Sequence, residues 1–399
     1  MSFKRWERKG KKTLTRALVA VLRARGDAPE QLPDLADLKS ILLIRQQNQL
    51  GDMLLGTPAF RAVRQRAPQA RIDLVTGTPN HEPVRLCRHL DEVLLYDKAT
   101  YRRRPDRARR FAQRLRDAHY DLVLVISTVS FSTTSAWLAA IAGAKWRAGR
   151  PGPDGQGRDV AGDVYHWVLP EPVAGRHQTG VNLDLVTPFG APADDWRPEI
   201  DLEEALAAQG WAALDTTLGP HETSSKRIVM HPGAGKLPNR WPAERFGQVA
   251  RTLTAAGHRV AIATGPGETD LFDRVDAGAG RAMPRLPGLP LHAVAGAIGS
   301  ADLLLANDTG VLHLGAAVDV PTLTFFGPTD PRQWCPAAPR MWYLAARDGD
   351  LEALPTVDVE QSSREILDHL AGGPEPGTPT AAPRPSAEDA SAPDARGER

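Results

Sequence analysis

One pattern constrains this chain more than any other. Short, almost wholly apolar runs alternate with stretches of helical length, and several of the runs end in a polar or Gly-rich loop. The run SILLIR at residues 40–45 has no polar interruption until its end. A strand of that kind is buried on both faces, which is the situation of a parallel sheet. After it the sequence predicts helix 52–66, strands 71–76 and 92–96, helix 105–118, strand 121–126 and helix 132–142, with residues 150–163 a Gly/Pro/Asp-rich loop. The alternation restarts with strand 226–231, helix 242–257, strand 258–264, helices 268–277 and 291–299, strand 302–306, helix 310–318 and strand 321–326. Strands that alternate with helices build parallel sheets covered by crossover helices, so the fold class is α/β with two doubly wound halves.

A chain of 399 residues exceeds what a single core organises. The expected division is a basic amphipathic arm at 1–39, a first sheet domain at 40–214, a linker at 215–225, a second sheet domain at 226–370 and a disordered tail at 371–399. The tail lacks aromatic and large aliphatic side chains and cannot build a core. No apolar run approaches the ~20 residues of a membrane-spanning helix. Cys87 and Cys335 are the only cysteines, too few for a disulfide framework, and no Cys/His cluster has zinc spacing. The start of the chain does not read as a signal peptide. These features together predict a cytoplasmic protein.

Charge is distributed unevenly. Residues 1–25 hold nine Lys/Arg and one acid, while the remainder carries a net charge of −7. In the arm, Leu14, Ala17, Leu18, Val21 and Leu22 form one apolar helical stripe, preceded by Phe3 and Trp6 among basic residues. Such a segment either lies on an anionic membrane surface or packs on the body with a solvated basic face. A second basic segment runs from Tyr101 to Arg116. It is either a contact for anionic lipid or a phosphorylated glycan, or a solvated helix face. No nucleic-acid module accompanies this charge, so nucleic acid is not expected as a partner.

Three loops at strand ends carry groups suited to chemistry. The first, RQQNQLGD at 45–52, places Asn48, Gly51 and Asp52 where a helix opens. Asp52 there is either a helix cap or a carboxylate facing the cleft between the two halves. In the second, HPGAGKLPNRWP at 231–242, glycines such as Gly233 can turn backbone N–H groups toward an anion, and Lys236 and Arg240 add positive charge. The third is NDTGVLH at 307–313. Asp308 can accept hydrogen bonds from sugar hydroxyls, the N–H groups of Thr309 and Gly310 open a helix toward phosphate, and His313 faces the same end one turn on. Each loop alone is also compatible with an ordinary strand-to-helix turn.

Taken in order, ILLIRQQNQLGDMLLGTPAFRAVRQRAP with RIDLVTG, HPGAGKLPNRWPAERFGQVARTL and NDTGVLHLGAAVDVPTLTFFGPTDPRQW resemble the signatures of glycosyltransferase family 9, the ADP-heptose:lipopolysaccharide heptosyltransferases. The resemblance spans roughly residues 40–345. It implies the GT-B fold, two Rossmann-like domains facing a central cleft, with acceptor on the N-terminal side and nucleotide-sugar on the C-terminal side. It further implies transfer with inversion and without an essential metal or other cofactor. Asp52 matches the aspartate proposed as general base, and Gly51 and Asn48 fall on the acceptor side. Asp308, Thr309, Gly310 and His313 match the DTG-x-x-H donor site. Glu268 matches an acidic residue near the donor nucleoside, and Leu289 falls where the family lines the base pocket. The expected partners are a nucleotide-sugar, ADP-heptose by resemblance, and a lipid-linked saccharide, reached from the inner face of the cytoplasmic membrane. Asn239 departs from the pattern, since the family commonly has lysine there to contact donor phosphate. Lys236 is a candidate substitute. The alternatives are a family member using another nucleotide-sugar for capsule, glycolipid or protein, and a sugar-binding protein without turnover. Asp348-Gly-Asp350 lies away from the three loops and reads as a surface turn rather than a metal site.

Overall fold

A computed structural model describes residues 31–46, 49–128, 131–151, 157–222 and 224–382. The basic arm at 1–25 and Asn48 lie outside the described residues. The chain forms two compact units. One holds residues 31–46 and 58–195, and the other holds 49–57 and 196–382.

In the first unit six parallel strands lie in the order β3-β2-β1-β4-β5-β6. They are β1 (Ser40–Arg45), β2 (Arg71–Gly77), β3 (Glu92–Tyr96), β4 (Leu122–Val125), β5 (Trp146–Gly149) and β6 (Trp167–Val168). Leu42, Ile44, Val123 and Val125 of the central strands are buried against Leu115, Ala136 and Ala139 of the covering helices. This packing is what the uninterrupted apolar runs require.

The expected helix 52–66 is broken in two, α1 (Leu50–Leu54) and α2 (Thr57–Arg66). Pro58 has no N–H to donate to the carbonyl of Leu54. The Thr57 hydroxyl donates to that carbonyl instead, at 2.8 Å. Helices α3 (Lys98–Arg103) and α4 (Pro105–Asp117) follow β3, and α5 (Thr133–Ile141) follows β4. Part of the 150–163 stretch expected as loop is helical, because α6 (Arg158–Val164) buries Ala161 and Val164. A short α7 (Gln178–Leu183) completes the unit.

The second unit begins earlier than its expected boundary. Helix α8 (Glu204–Leu218) runs into the stretch read as a linker. It packs on α11 (Leu291–Gly299) so closely that a Cβ on Gly210 would lie 2.0 Å from the carbonyl oxygen of Ala293. The sheet order is β12-β11-β10-β9-β7-β8, parallel except at β12. Its strands are β7 (Arg227–His231), β8 (Arg259–Ile262), β9 (Leu303–Asn307), β10 (Thr322–Phe326), β11 (Met341–Ala345) and β12 (Thr380–Ala381). The remaining helices are α9 (Ala243–Ala255), α10 (Asp270–Ala279), α12 (Gly310–Ala317), α13 (Pro331–Trp334) and α14 (Thr356–Leu370). Trp241, Phe246 and Phe325 form an aromatic nucleus with ring centroids 5.0–5.6 Å apart.

The start of the expected disordered tail is also held. The Glu365 carboxylate accepts from the N–H of Thr378 and Gly377 and from the Thr378 hydroxyl, and β12 pairs with β11 through Thr380 and Ala381. Those hydrogen bonds, the Thr378 N–H foremost, pull the Glu365 carboxyl down to about 2. No described helix is long and apolar enough to cross a membrane.

Candidate active site

In the second sheet the chain enters at β7, goes to β8 on one side, and continues at β9 on the other. Loops leaving the carboxyl ends of β7 and β9 therefore diverge, and a crevice opens at that reversal of strand order. A pocket of about 540 Å³ lies there, lined by Gln49–Asp52 and by the loops after β7, β8, β9 and β10. Every lining residue belongs to the second unit. The volume is within the range of small-molecule sites.

The loop after β7 is pinned at both ends by one buried side chain. Asn307 donates through Nδ2 to the carbonyl of Pro232 at 2.9 Å, and its Oδ1 accepts from the N–H of Trp241 at 3.0 Å. Trp241 is itself anchored in the aromatic nucleus and donates through Nε1 to the carbonyl of Leu354 at 3.1 Å. Between these anchors, Lys236 is exposed, lines the pocket, and makes no ion pair among the described residues.

Glu268, after β8, is held tightly. Its Oε1 accepts from Arg240 Nη2 at 2.6 Å, and its Oε2 accepts from the N–H of Gly265 at 3.0 Å. Gly233 permits this position, because a Cβ there would come within 2.0 Å of Oε2. Arg240 also donates through Nε to the carbonyl of Ala234 at 2.8 Å. Arg240 therefore braces Glu268 and the loop, and it does not line the pocket. His231 is buried, and burial holds its imidazole pKa below the usual range. The neutral ring places Nδ1–H toward the carbonyl of Ala263 at 3.0 Å; a carbonyl only accepts, so the proton is assigned to Nδ1.

Asp308 follows β9. Its Oδ2 accepts from Asn239 Nδ2 at 2.9 Å and from the Thr329 hydroxyl at 2.6 Å. These neutral donors fix the carboxylate in the pocket wall, while Oδ1 accepts no hydrogen bond among the described residues. Burial raises its pKa above the usual carboxylate range, opposed by the Thr329 hydrogen bond and the positive charge of Lys236. Thr309 is the N-cap of α12 and makes no side-chain cap bond, so no cap side chain occupies the start of the helix, where Thr309, Gly310 and Val311 line the pocket.

Asp52 is not the cap of its helix. Gln49 occupies that position, and Asp52 sits in the first turn as a pocket wall residue, 9% exposed. Short α1 is held against the start of α12 by two close approaches. A Cβ on Gly51 would lie 2.4 Å from Cδ2 of His313, and one on Gly310 would lie 3.1 Å from Cβ of Leu50. Gly51 thus lets a buried histidine ring approach the backbone beside Asp52.

The pocket therefore gathers Gly51, Asp52, Lys236, Glu268, Asp308, Thr309, Gly310 and His313. Gly233 and Arg240 stand behind Glu268. Leu289 does not line this pocket and packs instead against the core that includes Leu214 and Leu286. Among the wall residues not singled out from sequence as site groups are His231, Thr329 and Trp334. Each lies inside one of the quoted segments, but no periodicity or spacing marks it individually. Among the described residues no group of three or more His, Cys, Asp or Glu is spaced to hold a metal ion.

The pocket lies at the topological switch of the second of two doubly wound sheets, where an open α/β sheet receives its ligand, and the two sheets have the GT-B fold. The profile of glycosyltransferase family 9 (heptosyltransferase) matches residues 108–364, and the chain belongs to that family. It is a glycosyltransferase. A lipopolysaccharide heptosyltransferase 3 of Escherichia coli is 25% identical over 335 residues, covering 79% of this chain and 92% of that protein. The fold is shared with a solved family 9 glycosyl transferase from Veillonella parvula, at a TM-score of 0.72 and 19% identity over 84% of this chain and 99% of that one. It is shared too with an E. coli heptosyltransferase solved with ADP, at a TM-score of 0.63 and 20% identity over 82% and 99%.

Proposed function

We infer that this glycosyltransferase moves heptose from ADP-heptose onto a lipid-linked envelope saccharide such as the lipopolysaccharide core, with inversion and without a metal. The observation that carries the reading is the joining of two kinds of group in one pocket. Asp52 supplies a carboxylate, and the start of α12 supplies backbone N–H groups. Similarity to the lipopolysaccharide heptosyltransferase, and to a structure that holds ADP, supports the choice of sugar and nucleotide.

An acceptor hydroxyl donates its proton to Asp52 as its oxygen attacks the anomeric carbon. The bond from that carbon to the diphosphate oxygen breaks on the opposite face, and its electron pair leaves with the nucleoside diphosphate. A single displacement of this kind inverts the centre. The charge that develops on the leaving oxygen is met by the first N–H groups of α12 and by Lys236. Asp308, fixed by Asn239 and Thr329, accepts from hydroxyls of the sugar through its remaining oxygen.

A second reading has one observation in its favour. At position 239 the resemblance puts a lysine, and here a neutral Asn239 donates to Asp308 instead. That reading is the same transfer from a different nucleotide-sugar. A thermal-shift series with ADP-heptose, ADP-glucose, UDP-glucose and GDP-mannose separates the two. A ligand that binds only the folded state, present at about a hundred times its Kd, stabilises by ~2.7 kcal/mol. ADP-heptose should give the largest rise in Tm, and turnover with it should persist in EDTA. A larger rise with a UDP- or GDP-sugar establishes the second reading, and no rise with any of them refutes both. Turnover lost in EDTA and restored by Mg²⁺ or Mn²⁺ refutes the metal-free mechanism.

A further inference from the structure

The pocket of the second unit has a direction, set by the order of its strands. From one edge of the sheet inward, β8, β7, β9 and β10 are successive neighbours, and each sends a loop to the pocket wall. Strands lie about 4.8 Å apart, so the four loops span roughly 14 Å. The loop after β8 brings Gly265 and Glu268. The loops after β7 and β9 bring Lys236 and the start of α12, and the loop after β10 brings Thr329 and Trp334. One end of the pocket therefore offers a carboxylate, the middle a cation and a helix start, and the other end an indole.

Trp334 ends the short α13, which is locally fixed. The Asp330 carboxylate accepts from the N–H of Arg332 at 2.9 Å and pairs with its guanidinium at 2.8 Å. The N–H of Trp334 donates to the carbonyl of Asp330 at 3.2 Å. The indole is half-buried. It packs against the core cluster of Leu312, Phe326 and Cys335, and it also lines the pocket. Among the described residues it is the only Phe, Tyr or Trp in the pocket wall, and its ring stacks on no other ring. From the same loop, the Thr329 hydroxyl donates to Asp308 Oδ2 at 2.6 Å. A flat apolar surface and a fixed hydroxyl acceptor thus share the β10 end of the pocket.

We propose that Trp334 is the platform for the transferred sugar: its indole receives the C–H face of the donor's pyranose, while Asp308 accepts from that sugar's hydroxyls. A pyranose carries hydroxyls around its edge and C–H groups on its faces, so it asks for both kinds of surface at once. The negative face of an aromatic ring attracts the partly positive hydrogens. The diphosphate then falls in the middle, at Lys236 and the start of α12. The nucleoside falls at the β8 end, where Glu268 accepts from ribose hydroxyls. A nucleobase also stacks on an indole, but a base on Trp334 would reverse the donor. The anomeric carbon would then move toward the β8 end, two strands away from β9 and from the start of α12, on which Gly51 and Leu50 bring α1 to rest beside Asp52. The inference rests on the nucleotide-sugar reading above, but not on which nucleotide or which sugar is used.

The experiment is calorimetric titration of the full-length chain with two matched pairs, ADP with ADP-heptose and UDP with UDP-glucose. Trp334→Leu keeps apolar volume against the core and removes the ring. In the pair that binds, it should weaken the nucleotide-sugar about tenfold and leave the free diphosphate within about twofold of the parent. Trp334→Phe, which restores a ring, should recover most of that loss. A cooperative melt shows that each variant is folded; should Trp334→Leu lack one, Trp334→Met serves in its place. Equal weakening of the nucleotide-sugar and its free diphosphate overturns the proposal and gives the indole to the nucleotide. Unchanged affinity for both overturns it as well and leaves Trp334 a packing residue. Binding of the UDP pair instead of the ADP pair, with the loss confined to the sugar-bearing member, supports the proposal and corrects the donor named above. Binding of neither pair by the parent overturns both.

Discussion

A missing Cβ sets how near Asp52 comes to the helix that faces the pocket. At Gly51 the nearest atom of His313 is 2.4 Å from where a Cβ would sit, so Gly51→Ala must displace the buried ring or α1. Overpacking of that kind costs about 1–3 kcal/mol, and turnover should fall along with Tm. Unchanged Tm and turnover would show that the two loops part freely. Asp308 makes a different trade. Its folded-state pKa is raised by burial, so at neutral pH the charged carboxylate costs stability relative to the unfolded chain, where an aspartate titrates near ~3.9. Asp308→Asn should therefore raise Tm at neutral pH while weakening nucleotide-sugar binding by about 10- to 100-fold, the scale of one charged hydrogen bond. The gain in Tm should shrink as pH falls through the raised pKa, and vanish below the unfolded value, where both states are protonated. A stability loss at neutral pH would mean that its bonds from Asn239 and Thr329 outweigh the burial cost. Asp52 and Asp308 were legible in sequence because each follows an apolar run and opens a helix. Thr329 and Trp334 were not, since what makes them wall residues is the neighbour that the sheet order brings beside them.

At the scale of elements, the loop after β7 behaves as a clamped arch. Asn307 and Trp241 fix its feet, and Lys236 stands on it with no ion pair among the described residues. Lys236→Ala should weaken nucleotide-sugar and free ADP together by about 10- to 100-fold, the loss of one charge-assisted contact of ~1.5–3 kcal/mol. Calorimetric titration of both ligands checks this, and unchanged ADP affinity would leave the diphosphate to the start of α12 alone. Strands and amphipathic helices were readable because apolar burial in a parallel sheet writes itself as continuous runs. Helix α8 was harder to see. Its buried face consists of Ala207, Gly210, Leu214 and Leu218, and Ala and Gly serve exposed and buried positions alike. The break between α1 and α2 was signalled by Pro58, but continuous apolar spacing across it reads as a single helix.

At the scale of the molecule, two doubly wound sheets follow from the two rounds of alternation, while the grouping of the chain into units does not. Residues 49–57 belong to the second unit although they follow the first strand of the other. That assignment comes from the fit of Gly51 on His313 and Leu50 on Gly310, contacts between residues some 260 positions apart, which no local pattern records. It also puts the proposed base and the proposed phosphate site in one compact body. The central claim is that Asp52 acts there as general base in sugar transfer from a nucleotide-sugar. It is tested most directly by measuring ADP release from ADP-heptose with a lipid-linked saccharide acceptor, in the parent and in Asp52→Asn, beside the donor Kd of each. The account predicts acceptor-dependent release in the parent, a loss of about 10²-fold or more in the variant, and a donor Kd that is nearly unchanged. Near-normal turnover in Asp52→Asn would contradict it.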